Sequence, residues 1–136
     1  MTPKKALKVV LDTNFLMIPI RFGVDIFSEM SNLEISVEPM VTRAVLNEIK
    51  LLLREAKPSF SRELEFALIM ATRCTLIEDE CRPDEKVDDS LIRVAMDNKY
   101  MVGTTDAELR RRLRKIGIPV LYLRQSKKLF VEGISV

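Results

Sequence analysis

The chain has 136 residues, 47% hydrophobic and 31% charged, with a net charge of +2, which is the size and apolar content of one domain around one core. It contains no histidine. That removes Ser-His-Asp and Cys-His nucleophile pairs, histidine bases and imidazole metal ligands together, and leaves any catalysis to carboxylates, hydroxyls, amines or a metal.

In chain order, residues 1–8 are short and polar, with no apolar run long enough for a signal peptide, and no later run approaches a membrane span. A soluble, cytoplasmic protein is expected. Residues 8–11 form an apolar run that ends at Asp12 and reads as a buried strand. Helical spacing at 24–31 is followed by a second strand at 35–38 and a helix at 42–55. Pro58 separates that helix from the next, at 60–73, where Phe60, Leu64, Ala67, Leu68 and Ala71 recur on one face. A strand at 75–78 leads into the charged segment 79–86, which holds Pro83 and is expected to be a mobile loop. A helix at 87–98, a strand at 100–103, a helix at 107–116 and a strand at 120–123 complete the series. Cys74 and Cys81 have no further cysteine or histidine with which to build a zinc site, and are read as reduced and incidental. There is no internal repeat.

Short apolar strands alternating with helices imply right-handed crossovers and a parallel sheet covered on both faces. The expected fold is α/β: a three-layer α/β/α sandwich with a central parallel sheet of about five strands, one domain over residues 1–136.

Acidic residues mark the points where chemistry could sit. Asp12 follows the first strand directly, at the carboxyl edge where an open α/β sheet keeps its ligand crevice; equally, Asp, Thr and Asn here suit a helix N-cap. Asp106 follows the strand at 100–103, but Thr105 and Glu108 have capping-box spacing, so a plain helix start is an alternative. Asp88 and Asp89 open the helix at 87–98. Adjacent helical residues diverge by roughly 100°, so at most one should face Asp12, and Asp89 is chosen from its spacing to Ile92 and Met96. Glu48 borders the apolar face made by Val45, Ile49 and Leu52, where a lone glutamate is usually a surface residue.

Four carboxylates meeting at one place would repel one another without a cation, and without histidine the ions that suit them are Mg²⁺ or Mn²⁺. Such a centre could drive displacement at a phosphodiester. Charge segregation points the same way. Seven acidic residues lie within 78–89, and eight basic ones within 107–128, among them Arg110, Arg111, Arg112, Arg114 and Lys115. A basic run is more often a solvated helix face; beside an acidic metal site it would be a phosphate track for nucleic acid. With only Tyr100 and Tyr122 nearby, base stacking is not strongly indicated.

The order of these motifs resembles the PIN domain family. The residues that carry the likeness are Val10-Leu11-Asp12-Thr13-Asn14, then Val41-Thr42-Arg43-Ala44-Val45-Leu46-Asn47-Glu48, then Asp88-Asp89-Ser90-Leu91-Ile92, and last Gly103-Thr104-Thr105-Asp106-Ala107-Glu108-Leu109. The resemblance implies a Rossmann-like sheet and an endoribonuclease acting on single-stranded RNA with Mg²⁺ or Mn²⁺. Its acidic set would be Asp12, Glu48, Asp89 and Asp106, with Asp88 as an extra ligand or a supporting neighbour, and Asn14 and Thr104 supporting by hydrogen bonds. The arginine-rich helix and the ending Pro119-Val120-Leu121-Tyr122-Leu123-Arg124 look like the branch that processes precursor ribosomal RNA. The alternatives are a toxin ribonuclease of a toxin–antitoxin pair and a non-catalytic RNA-binding module. The implied partners are single-stranded RNA and a second copy or another protein, with no membrane contact. Phosphoaspartate enzymes fit less well: Asn14 stands where a dehalogenase-like phosphatase needs a second aspartate, and a receiver would need an acidic pair near the first strand.

Overall fold

The computed structural model describes residues 6–134, so most of the N-terminal stretch read for a leader lies outside the described residues. β1 (Leu7–Leu11) is followed by three short helices, α1 (Thr13–Leu16), α2 (Ile18–Phe22) and α3 (Ile26–Ser31). β2 (Val37–Thr42) runs straight into α4 (Arg43–Leu53), and α5 (Pro58–Ala71) precedes β3 (Thr75–Ile77). α6 (Val87–Asn98), β4 (Met101–Gly103), α7 (Ala107–Lys115), β5 (Val120–Arg124) and β6 (Lys128–Glu132) complete the chain. The strands form one sheet in the order β3-β2-β1-β4-β5-β6. It is parallel from β3 to β5, and β6 pairs antiparallel with β5. The fold is the expected α/β architecture, with an added edge strand.

The chain adds β2 and β3 on one side of β1, then crosses back to add β4 and β5 on the other. Under the right-handed crossover rule, that reversal places the intervening helices on opposite faces and opens a crevice at the carboxyl ends of β1 and β4. Val9, Val10 and Leu11 are fully buried there, as expected of a central parallel strand. Phe15, Leu16, Met17 and Ile18 close over the same end of the core. Among the described residues no helix is long and apolar enough to cross a membrane.

Three sequence expectations are corrected. The second strand is displaced from 35–38 to Val37–Thr42, because Pro39 does not end it. Pro39 pairs opposite Val9, while on its other side the pairing with β3 starts only at Met40, opposite Thr75, so the missing N–H costs no ladder bond there. The sixth strand escaped notice because its hairpin turn is built on Gln125 and Ser126, both at positive φ (52° and 57°), where a glycine or asparagine would have announced it. Segment 79–86 has no helix or strand, yet it is tied down: Arg93 donates to Asp79 Oδ1 at 2.8 Å, to Glu85 Oε2 at 2.9 Å and to the Glu80 carbonyl at 3.2 Å.

Gly103 is required by packing. A Cβ there would lie 2.7 Å from Leu11 Cδ2 and 3.2 Å from Phe15 Cδ2. Gly103→Ala is therefore expected to cost about 1–3 kcal/mol by overpacking, seen as a lower midpoint in urea unfolding; an unchanged midpoint would show that Leu11 and Phe15 give way freely.

Candidate functional site

Asp12 is the first residue past β1, and its backbone N–H donates to the Gly103 carbonyl at 3.0 Å, which registers it against the end of β4. The N-cap role expected of Asp12 is present, and its second oxygen is engaged at the end of β4. Oδ1 accepts from the Phe15 N–H at 2.7 Å and caps α1, while Oδ2 accepts from the Thr104 hydroxyl. Thr104 in turn accepts from the Asp106 N–H at 3.0 Å. One fully buried threonine thus links the two strand-end aspartates. Asp106, not Thr105, caps α7, with Oδ1 accepting from the Glu108 and Leu109 N–H groups at 2.8 and 3.1 Å.

Glu48 is held beside this pair by Thr13, whose buried hydroxyl donates to Oε1 at 2.7 Å. Thr13 is a contributor that sequence reading missed. It lies inside the Asp12-Thr13-Asn14 motif, but nothing along the chain names Glu48 as its partner. Asn14 is exposed, and its side chain has no hydrogen-bond partner among the described residues, so the structure gives it no supporting contact.

The two acids of α6 separate as their helical step requires. Asp89 accepts from Arg112 Nη2 at 2.6 Å and is about half exposed. Asp88 makes no such pair among the described residues, and its pKa is raised by burial first, then by the charge of Asp106 and of Asp89, against the lowering effect of Arg112. Asp12 is pushed up from 3.8 to about 7 by burial, which the Thr104 and Phe15 hydrogen bonds only partly offset, with smaller repulsions from Asp88 and Asp106 adding to the rise. Asp88 is therefore the α6 acid coupled to both strand-end aspartates. Glu48, Asp88 and Asp89 line a cleft of about 620 Å³ together with Lys86 and Arg112.

Among the described residues, no three acidic or sulfur side chains stand close enough to hold a metal ion as they are. The reason is visible in their partners: Asp89 turns to Arg112, Glu48 to Thr13, and Asp106 to the start of its own helix. Still, the set fits a hard divalent cation in two respects. Its donors are all oxygens, and Asp12 is a buried carboxylate that, among the described residues, has no basic side chain in hydrogen-bond contact, so its negative charge calls for either a proton or a cation.

The basic run does not form one continuous positive face. Arg110 lies near Glu132 at 3.4 Å, Arg111 pairs with Glu108 at 2.5 Å, Arg112 with Asp89, and Arg114 with Glu132 at 3.6 Å. Lys115 is exposed and has no ion pair among the described residues. Helical rotation fans these cations around α7, and three carboxylates meet the four arginines, Glu132 lying near both Arg110 and Arg114. Cys74 is also accounted for: burial raises its thiol to about 11, which makes it unreactive.

Comparison with known proteins adds a second line. The family pattern described as a PIN like domain matches residues 9–126. "Ribonuclease VapC9" of Archaeoglobus fulgidus is 30% identical over 123 residues, covering 90% of this chain and 87% of that protein. The "rRNA-processing protein FCF1 homolog" of Mus musculus is 29% identical over 119 residues, covering 85% of this chain but only 56% of that protein, so the chain spans little more than half the length of this relative. The solved structure of the PIN domain endonuclease Utp24 superposes with a TM-score of 0.75 at 27% identity, covering 93% of this chain and 92% of the other.

Proposed function

The chain belongs to the family described as the PIN like domain, and from that premise we propose that it is a Mg²⁺- or Mn²⁺-dependent endoribonuclease that cuts single-stranded RNA in ribosomal RNA processing. The observation that carries the reading is Asp12: a carboxylate buried at the switch point of the sheet, hydrogen-bonded through Thr104 to the cap of α7, and charge-coupled to Asp88 and Asp106. A buried acid in that setting is costly unless it is used. The names of the rRNA-processing and endonuclease relatives support the RNA substrate.

Asp12, Asp88 and Asp106 would hold the cation, with Glu48 and Asp89 joining from the cleft wall. When bound, the cation supplies Lewis acidity toward the scissile phosphate. The rest is done by the chain itself. Thr104 fixes the Asp12 carboxylate and the backbone of Asp106 together; Thr13 keeps Glu48 from swinging into solvent. Lys86 and Arg112 in the cleft attract the phosphate backbone and offset its repulsion by the acids. Arg112 also sits on Asp89, so it competes for one of the carboxylates the cation needs. Arg112→Gln is expected to tighten Mn²⁺ binding by about two- to fivefold in calorimetric titration, the worth of one exposed ion pair. Weaker binding would mean that Arg112 orients Asp89 and does not compete.

The activity test is cleavage of end-labelled single-stranded RNA by the purified protein, expected with Mn²⁺, abolished by EDTA and absent on duplex. No metal-stimulated cleavage of any single-stranded RNA would favour a non-catalytic RNA-binding module. A toxin role is the second reading, because the similarity to VapC9 spans 87% of that protein. It requires growth arrest on expression in a bacterial host, relieved by Asp106→Asn.

A further inference from the structure

Around the residues that flank Asp106 in the chain, Phe22, Thr104, Ala107, Arg110 and Tyr122 line a second groove of about 260 Å³. It adjoins the first site through Thr104, whose hydroxyl holds Asp12. The Arg110 guanidinium lies over the Tyr122 ring, 4.0 Å from its centroid, and Phe22 at the end of α2 is 44% exposed, unusual for a phenylalanine. Three groups with flat faces, two aromatic and one guanidinium, therefore meet in one recess at the carboxyl edge of the sheet. They come from α2, α7 and β5, so no stretch of sequence brings them together.

Charge alone does not explain Arg110. Its neighbour Glu132, at 3.4 Å, already offsets much of it, which leaves the planar face as its distinctive feature. A flat cation stacked on an aromatic ring is a platform for another planar ring. Thr105, Gln125 and Ser126 contribute hydroxyl and amide groups to the same lining, the types that read the hydrogen-bonding edge of a base. The recess is small, about 260 Å³, room for a base splayed out of a helix and not for a stacked pair.

We propose that this groove is a stacking site for one unpaired nucleobase of a single-stranded RNA, seated against Arg110, Tyr122 and Phe22 next to the acidic centre. The inference deepens the nuclease reading and rests on it for the choice of RNA. It also supplies a physical source of single-strand selectivity, since a paired base has neither a free face nor a free edge. Continuity through Thr104 makes the nucleotide held here a near neighbour of the phosphate approaching Asp12.

The test is an abasic scan. A short single-stranded RNA is made in versions that each lack one base, and the affinity of the full chain for each is measured in EDTA, where no cleavage is expected. For the wild type, one position should weaken binding by on the order of tenfold, the usual worth of one base stacked on an aromatic group. Tyr122→Leu and Arg110→Lys, the latter keeping the charge but losing the plane, should flatten the scan while still binding the backbone. Phe22→Ser, at an exposed position, gives the same reading if Tyr122→Leu fails to fold. A flat scan in the wild type, a sensitive position that persists in the variants, or no measurable RNA binding overturns the proposal. A sensitive position without metal-dependent cleavage leaves the groove standing and the nuclease reading lost; cleavage with a flat scan does the reverse.

Discussion

Asp12→Asn should lose cleavage by at least about a hundredfold, the scale on which removing one charge-stabilising group acts, and should at the same time make the metal-free protein more stable at neutral pH. The two effects share a cause. In the folded chain Asp12 titrates near 7 instead of 3.8, because burial and the charges of Asp88 and Asp106 disfavour its ionised form. A folded-state pKa above the unfolded one means that folding favours the proton. The stabilising contribution is complete below about pH 4 and is lost as pH rises through about 7. At 1.36 kcal/mol per pH unit the loss is at most about 4 kcal/mol. Asparagine keeps an oxygen for the Phe15 N–H, carries no charge, and removes this pH dependence. Thermal unfolding of both proteins in EDTA between about pH 4 and pH 8 tests it: the wild type should weaken across that window, and the variant should not. Added Mn²⁺ should raise the wild-type melting temperature most at the neutral end, by mass action on the folded state. If Asp12→Asn were the less stable protein at pH 7, the carboxylate would be a structural cap and the functional reading of this residue would fail.

Arg93→Ala is the second large effect, and it falls on the acidic connection between β3 and α6. The Arg93 side chain is only 15% exposed, as is that of Glu85, and its fork spans Asp79 and Glu85. Removing it leaves two carboxylates facing each other without their shared cation, which costs more than the loss of an exposed pair. The melting temperature should fall by about 5 °C or more, and proteolytic nicking should appear within residues 79–86. Lysine should not rescue, since it cannot supply a planar fork. The acid limb supplies a further check. Arg93 holds the Glu85 carboxyl down at about 2, below its ordinary 4.5, so the stability it contributes is present above pH 4.5 and disappears as pH falls toward 2. Arg93→Ala should remove that part of the acid dependence. Unaltered melting in the variant would mean the segment is held by other contacts, such as Asn47 to Glu80 at 3.3 Å. Because Glu85 and Lys86 border the cleft, loosening this segment should also blur the substrate path.

Much of the fold was legible because its signals are local. An apolar run that stops at Asp12, and another that stops at Gly103, are buried strands ending at polar residues, and the period of apolar residues names the helices between them. Histidine's absence confined the candidate chemistry to carboxylates, hydroxyls, amines or a metal before any contact was known. The short helices α1 and α2 lie below the length at which periodicity can be read, and β6 depends on a turn whose residues carry no turn signature. Composition could not show that the basic run is divided among Glu108, Asp89 and Glu132. Nor could it reveal the stacked groove, since Phe22 and Tyr122 are a hundred positions apart along the chain.

The sequence by itself determined the α/β class, the placement of acids at two strand ends, and the motif order by which the family is identified. All of these follow from short-range pattern and residue chemistry. The tertiary structure alone decided which acid meets which partner: Thr104 reaches back 92 residues to Asp12, Thr13 reaches forward 35 to Glu48, and Arg112 takes Asp89 while the charge of Asp88 acts on Asp12 and that of Asp106 on Asp88. Those pairings depend on sheet order and on the rotation of α6 and α7, quantities set by packing across the whole domain and written in no single stretch of the chain.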